Sequence, residues 1–147
     1  MNYQLELVTN TKLLEQQDKI IRDGIVNFNL PFIGSKPDRY SIYAKDNESN
    51  LIGGAIVYAY ANSVYVDVLW VKEECRGQGI GAELLRNVEA EAIKRKIPAS
   101  TLDTFSFQAE DFYLKQGYKH LGIIKNYLKG HDRIYLRKQL PLKHSSH

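Results

Sequence analysis

A single cysteine, Cys75, leaves the 147-residue chain without an internal disulfide and without the ligands for a structural zinc site. That usage fits a reducing compartment. Long apolar runs are also missing: none approaches the ~20 residues that a membrane-spanning helix requires. The opening Met1-Asn2-Tyr3-Gln4-Leu5-Glu6 lacks the basic-then-apolar layout of a secretory signal, so the expected location is cytoplasmic. Charge of one sign is not in large excess, with 20 Lys and Arg against 17 Asp and Glu and a net charge of +3. The basic residues are scattered, so no nucleic-acid partner is implied. His120, His144 and His147 do not stand at metal-ligand spacing, and no metal is expected. Internal repeats are absent. What is present is ordinary globular composition, 44% hydrophobic and 25% charged, in a length that suits one domain with one core.

The informative stretch runs from Val64 to Arg95. Tyr65 to Val71 is rich in β-branched and aromatic residues and predicts a mostly buried strand. After Lys72 to Cys75 comes Arg76-Gly77-Gln78-Gly79-Ile80-Gly81-Ala82, and then a helical pattern. Ile80, Gly81, Leu84, Leu85, Val88 and Ala92 fall on one face of a 3.6-residue period. The first amides of a helix have no intrahelical acceptor, and the macrodipole adds positive charge there, so phosphate oxygens fit. Glycines remove the Cβ atoms that would hold a diphosphate away, and Arg76 adds a charged clamp. The looser pattern Gly77-x-Gly79-x-x-Ala82, with Asp103 as a ribose-binding acid, leaves a dinucleotide enzyme open as an alternative. So does a glycine-rich turn with no ligand.

The spacing Arg76-x-x-Gly79-x-Gly81 resembles the acyl-CoA pyrophosphate signature of the GNAT superfamily, the acyl-CoA-dependent N-acyltransferases. Gln108-Ala109-x-x-Phe112-Tyr113-x-x-x-Gly117-Tyr118 resembles that family's second signature, except that the usual asparagine and two-residue spacer are missing and Tyr118 replaces phenylalanine. Both signatures appear in the family's order. On this resemblance the chain is identified as a bacterial-type member. The implied fold is a single α/β (α+β) domain. It has a mixed, mostly antiparallel sheet of roughly six or seven strands, a splayed parallel pair at its centre and about four flanking helices. Residues 1–140 would form this N-acetyltransferase domain and 141–147 a polar tail.

Taken in order, Tyr3 to Val8 predicts a first strand, and Thr9-Asn10-Thr11 caps a helix carrying Leu13, Leu14, Ile20, Ile21, Ile25 and Val26. Asn27 to Lys36 reads as irregular because Pro31, Gly34 and Pro37 interrupt it. Tyr40 to Lys45, Leu51 to Ala61 and the motif strand predict an antiparallel meander, with Gly53 and Gly54 marking a bulge. Pro98 ends the long helix, and Ala99 to Phe105 predicts a strand parallel to the motif strand. Gly117 suits the end of a short helix. Lys119 to Ile124 and Arg133 to Leu140 read as a closing hairpin joined by a loop over Lys125 to Asp132.

The resemblance also implies an activity: transfer of an acetyl group from acetyl-CoA to a primary amine by direct attack in a ternary complex. Arg76, Gly77, Gln78, Gly79, Ile80, Gly81 and Ala82 would hold pyrophosphate. Leu69, Trp70 and Val71 would supply a free backbone N–H and hold the pantetheine arm, with Gln108 and Phe112 beside the cofactor. Tyr113 would protonate the departing thiolate, although a core aromatic role is open. Asp67, an acid in an apolar strand, would act as base, bind the substrate cation or hydrogen-bond a neighbouring strand. Phe28, Asn29, Phe32 and Ile33 are candidate substrate-wall residues or a packed loop. His131 is a candidate base or a solvated loop residue. Acceptors would be small-molecule amines or protein amino groups, a homodimer is compatible, and a non-catalytic acyl-CoA-sensing module is the alternative from another class.

Overall fold

The computed structural model describes residues 1–142, so His144 and His147 and most of the expected polar tail lie outside the described residues. The chain divides into two compact units, Met1–Lys36 and Pro37–His147.

The first unit is built on one helix, α1 (Thr11–Ile33). Asn10 caps it, its side chain accepting from the Leu13 N–H at 3.1 Å. Gly34 closes it in the left-handed conformation (φ 84), donating its N–H to the Leu30 carbonyl at 2.8 Å. Two expectations fail in this unit. Tyr3 to Val8 forms no strand, because an extended segment becomes a strand only when another strand takes up its hydrogen bonds, and it has no partner in the ladder. Asn27 to Ile33 is helical rather than irregular. Pro31 falls in the last turn, where its missing N–H removes a single bond to Asn27, and Phe28 and Phe32 support that turn as an i,i+4 pair 5.8 Å apart. Phe28, Asn29 and Phe32 are therefore helix residues.

The second unit is a six-stranded sheet. In chain order it contains β1 (Asp38–Lys45), β2 (Leu51–Ala59), β3 (Val64–Val71), α2 (Ile80–Lys94), β4 (Ala99–Phe105), α3 (Glu110–Lys115), β5 (Lys119–Leu128) and β6 (His131–Gln139). The spatial order is β1-β2-β3-β4-β6-β5, with β3 and β4 parallel and every other pair antiparallel. This is the expected mixed sheet with its parallel pair at the centre. The described residues hold three α-helices and a 3₁₀ turn at Glu73–Cys75, fewer than the expected four or so, since the N-terminal unit forms one continuous 23-residue helix. Among the described residues no helix is long and apolar enough to cross a membrane.

Alternation along β2 sends Gly53, Ala55, Val57 and Ala59 inward, where they meet Leu84, Leu85, Val88 and Ala92 of α2. Burying each larger side chain contributes roughly 1.5–3 kcal/mol. The glycine pair in β2 has a different role from the one its sequence suggested. The bulge falls at Ile52, where Ala44 pairs with Gly53 and Lys45 with Leu51. A Cβ on Gly53 would stand 2.8 Å from the Trp70 carbonyl oxygen, so the glycine permits close approach of β3. The hairpin expectation also changes: the strands extend to Leu128 and from His131, leaving Lys129-Gly130 as the turn. Asp132 makes this possible by accepting from the Asn126 N–H and Lys125 Nζ, both at 3.1 Å, across an irregularity in β5. Those bonds hold its carboxyl below the usual carboxylate range.

One buried residue on α2 was not expected. Glu89 is 8% exposed and accepts from Lys138 Nζ of β6 at 2.7 Å. The Tyr118 hydroxyl is hydrogen-bonded to both Glu89 (3.0 Å) and Ser100 of β4 (2.7 Å), and burial pushes its pKa above the ordinary tyrosine range. Breaking this pair leaves a buried carboxylate without its counter-ion. Lys138→Ala should therefore lower stability by about 3 kcal/mol in urea unfolding, and a change below about 1 kcal/mol would mean that the pair is surface-like.

Candidate active site

The parallel ladder between β3 and β4 is short. It joins Val64 to Ser100, Tyr65 to Thr101 and Val66 to Leu102, and then stops. At that point β3 carries a bulge, because Ile56 pairs with Val68 and Val57 with Val66, which leaves Asp67 as the extra residue. A bulge bends its strand and adds twist. Beyond it β3 continues with β2 to Val71 while β4 continues with β6 to Phe105, and a gap opens through the centre of the sheet.

The open edge of β3 can be read from the ladder. Lys72 donates its N–H to Ile52 across β2, and Val71 pairs with Gly53, so alternation turns Trp70 the same way as Lys72. The N–H and C=O groups of Leu69 and Val71 consequently face away from β2, into the gap. The strand is less buried than its composition suggested: Val64 and Val66 are enclosed, whereas Asp67, Val68 and Trp70 are exposed. The exposed Asp67 corrects the picture of an acid buried within an apolar strand; its carboxylate stands at the rim of the gap, placed there by the bulge.

The 3₁₀ turn Glu73–Cys75 carries the chain from β3 to the glycine loop. Gly77 and Gly79 have positive φ (80 and 82), and a Cβ on either would meet open space. Gly79 caps α2, and the first amide to find a helical acceptor is that of Glu83, bonded to Gly79 at 3.1 Å. The amides of Ile80, Gly81 and Ala82 are left for an external acceptor. Gly81 differs from the other two: its φ is ordinary, and a Cβ there would touch the Phe112 ring at 3.6 Å. Arg76 folds back so that its Nε donates to the Val71 carbonyl at 2.9 Å, which leaves its terminal nitrogens beside the loop. Gln78 is exposed and is not part of the groove lining.

A groove of about 500 Å³ runs from this loop along β3 to α3, between Arg76 and Gly77 at one end and Ala109, Phe112 and Tyr113 at the other. Leu69 and Val71 form part of its wall, and Trp70 does not. A second cavity of about 280 Å³ occupies the gap between the parted strands. Asp67 and Leu69 line it from β3, and Asp103, Thr104 and Phe105 from β4. Leu69, Ala109 and Tyr113 belong to both cavities, so the two spaces meet at Tyr113. Tyr113 is 7% exposed, and burial, aided by the negative charge of Asp103, pushes its pKa up to about 12. It therefore keeps its proton at pH values where an ordinary tyrosine would ionise.

The other expected site residues separate into groups. Gln108 lies on the second cavity, and its amide oxygen accepts from the Phe105 N–H at 2.8 Å and the Thr104 hydroxyl at 3.2 Å, fixing the turn into α3. His131 opens β6 and packs edge-on against Phe107 at 4.7 Å, outside both cavity linings. Phe28, Asn29 and Phe32 belong to the first unit. Sequence reasoning passed over the pairing of Asp103, which accepts from Arg133 Nε at 2.9 Å. Arg133 is held in turn by the rings of Tyr127 and Tyr135, at 5.0 and 5.2 Å. The outward Asp103 of β4 and Arg133 of β6 were a visible signal once those strands are neighbours, but only tertiary structure makes them so. That pairing also removes Asp103 as a ribose ligand, and the 3₁₀ turn ahead of the first glycine separates this loop from a dinucleotide-binding turn.

Comparison with known proteins agrees with this geometry. The family described as Acetyltransferase (GNAT) domain matches residues 38–120. An acetyltransferase of Agrobacterium fabrum is 30% identical over 140 residues, covering 95% of this chain and 99% of that one. The Blasticidin-S acetyltransferase of Streptomyces morookaense is 32% identical over 112 residues, 75% of this chain and 82% of that one. The crystal structure of an acetyltransferase from Bacillus cereus superposes with a TM-score of 0.77 at 28% identity, covering 92% of this chain and 98% of that one. With its sheet parted after Val66, its glycine loop heading α2 and these relatives along most of its length, the chain belongs to the GNAT acetyltransferases.

Proposed function

We propose that this protein transfers the acetyl group of acetyl-CoA to the primary amine of a small molecule by direct attack in a ternary complex, in the cytoplasm. The observation that carries the reading is the continuity of one groove from the unpaired amides of Ile80, Gly81 and Ala82 to the open edge of β3 and Tyr113. Family membership supports acetyl-CoA as donor, and the small-molecule name of the Streptomyces relative supports a small acceptor. In this reading Arg76 and the amides following Gly79 hold the diphosphate. The pantetheine arm lies along Leu69 and Val71 in the manner of an added strand, and Phe112 packs beside it.

The chemistry then follows from the gap. Asp67 takes a proton from the acceptor ammonium, directly or through water, and the neutral nitrogen attacks the thioester carbon. An outward N–H of Leu69 or Val71 stabilises the oxyanion that forms. As the intermediate collapses the C–S bond breaks, Tyr113 gives its proton to the departing sulfur, and the nitrogen releases its second proton to solvent, from which Tyr113 is reprotonated. Gln108 positions the turn that carries α3.

Two measurements test this. Gly79→Val forces a branched residue into positive φ beneath the diphosphate and should weaken CoA binding by more than tenfold in calorimetry, whereas Gly81→Ala should change it little; equal effects would refute the loop assignment. Tyr113→Phe should lower kcat for amine-dependent thiol release by about 10²-fold while the KM for acetyl-CoA stays within about threefold, and an unchanged kcat would remove the hydroxyl from the mechanism.

A further inference from the structure

The acetyltransferase reading leaves one feature of the second cavity unexplained. Its β4 lining includes Phe105, whose ring stacks on Phe107 at 5.6 Å with an interplanar angle of 3° and lies 6.1 Å from Tyr127. Phe107 is 54% exposed and Tyr127 49%. Scattered exposed aromatics are ordinary, but these are contiguous and held in place. The Ser106 N–H donates to the Asp132 carbonyl and the Asp132 N–H to Ser106 Oγ, both at 3.0 Å, which ties the turn carrying Phe107 to the hairpin carrying Tyr127. Phe105 lines the cavity and Phe107 and Tyr127 adjoin it beyond the lining, so the held rings offer an apolar surface at little entropic cost.

The charges around the same cavity limit what can lie there. Asp103 is neutralised by Arg133, and Asp67 has no hydrogen-bond partner among the described residues. One free carboxylate attracts one ammonium. A second cation entering beside Asp103 would find that carboxylate already paired with Arg133 and gain no free counter-charge.

Resting on the acetyltransferase reading, we infer that the acceptor is a monocationic amine bearing an aromatic ring, its ammonium directed to Asp67 and its ring laid on the Phe105, Phe107 and Tyr127 surface. Phe107 is thereby a specificity-determining residue. Polyamines and plain alkylamines fit the same site less well, the first because a second ammonium finds no unpaired carboxylate and the second through the missing ring contact.

The test compares 2-phenylethylamine, hexylamine and putrescine as acceptors, with release of CoA thiol as readout. The kcat/KM for phenylethylamine should exceed that for hexylamine by about three- to tenfold, with putrescine below both. In Phe107→Ala the phenylethylamine-to-hexylamine ratio should fall towards one. Phe107 is exposed, so loss of folding is not expected, and circular dichroism checks it. Equal or inverted preference, a polyamine preference, or a ratio that Phe107→Ala leaves unchanged would overturn this inference while the acetyltransferase reading stands. If none of these nor any other amine raises thiol release above the rate with acetyl-CoA alone, both fall.

Discussion

Backbone amides and carbonyls taken from water need partners, and in the middle of a sheet the neighbouring strand supplies them. This protein breaks that rule at one place. After Val66 and Leu102 the two central strands part, and the Asp67 bulge is the device that parts them. Everything beyond the bulge depends on that one extra residue. It turns the polar groups of Leu69 and the N–H of Val71 into a free edge, brings a carboxylate to the rim and opens a cavity through the sheet, while the Val71 carbonyl is taken by Arg76. An unpaired edge held inside a sheet is a place for another extended chain to lie, which is what a pantetheine arm resembles chemically.

A free edge is useful only if the parts around it stay in place. The glycine loop hangs from the start of α2, and α2 is fastened twice. Its apolar face, through Leu85, Val88 and Ala92, is sealed against β2 and β3. Between Val88 and Ala92, Glu89 ties it through Lys138 and Tyr118 to β6 and β4. The second tie joins the two halves of the sheet at the end where they are still paired, so the halves can diverge at the other end without drifting. Tyr113 and Tyr118 flank the αL residue Gly117 and meet edge to face at 5.9 Å. The short helix that carries the proposed acid is thus packed on the same network that holds the glycine loop.

The proposed chemistry uses two differently treated ionisable groups. Tyr113 is buried enough to stay protonated and so can give a proton to a thiolate. Asp67 is exposed on its bulge and free to meet an incoming ammonium. Asp103, close by, is kept from that task by Arg133.

Local patterns determined a good deal by themselves. Apolar alternation and period located β2, β3 and α2, and the glycines at 77 and 79 marked positions that need positive φ, because these depend on a few neighbouring residues and their backbone angles. At Gly81 the expectation of a special backbone angle does not hold, since its φ is ordinary and a Cβ there would make only ordinary contact with Phe112, thirty-one positions away in another helix. Tyr3 to Val8 misled because alternation cannot tell a strand from an extended segment that no strand pairs with. Asp67 could be singled out as an acid among apolar residues, but its meaning as a bulge required the register with β2, and register belongs to pairs of strands. Likewise the Asp103–Arg133 pair arises only once β6 lies beside β4. The sequence alone determined the glycine loop and the helix that follows it, through backbone chemistry that neighbours in the chain supply; tertiary structure alone decided where the sheet opens and which side chains face the opening, because that depends on hydrogen bonds between strands far apart in sequence.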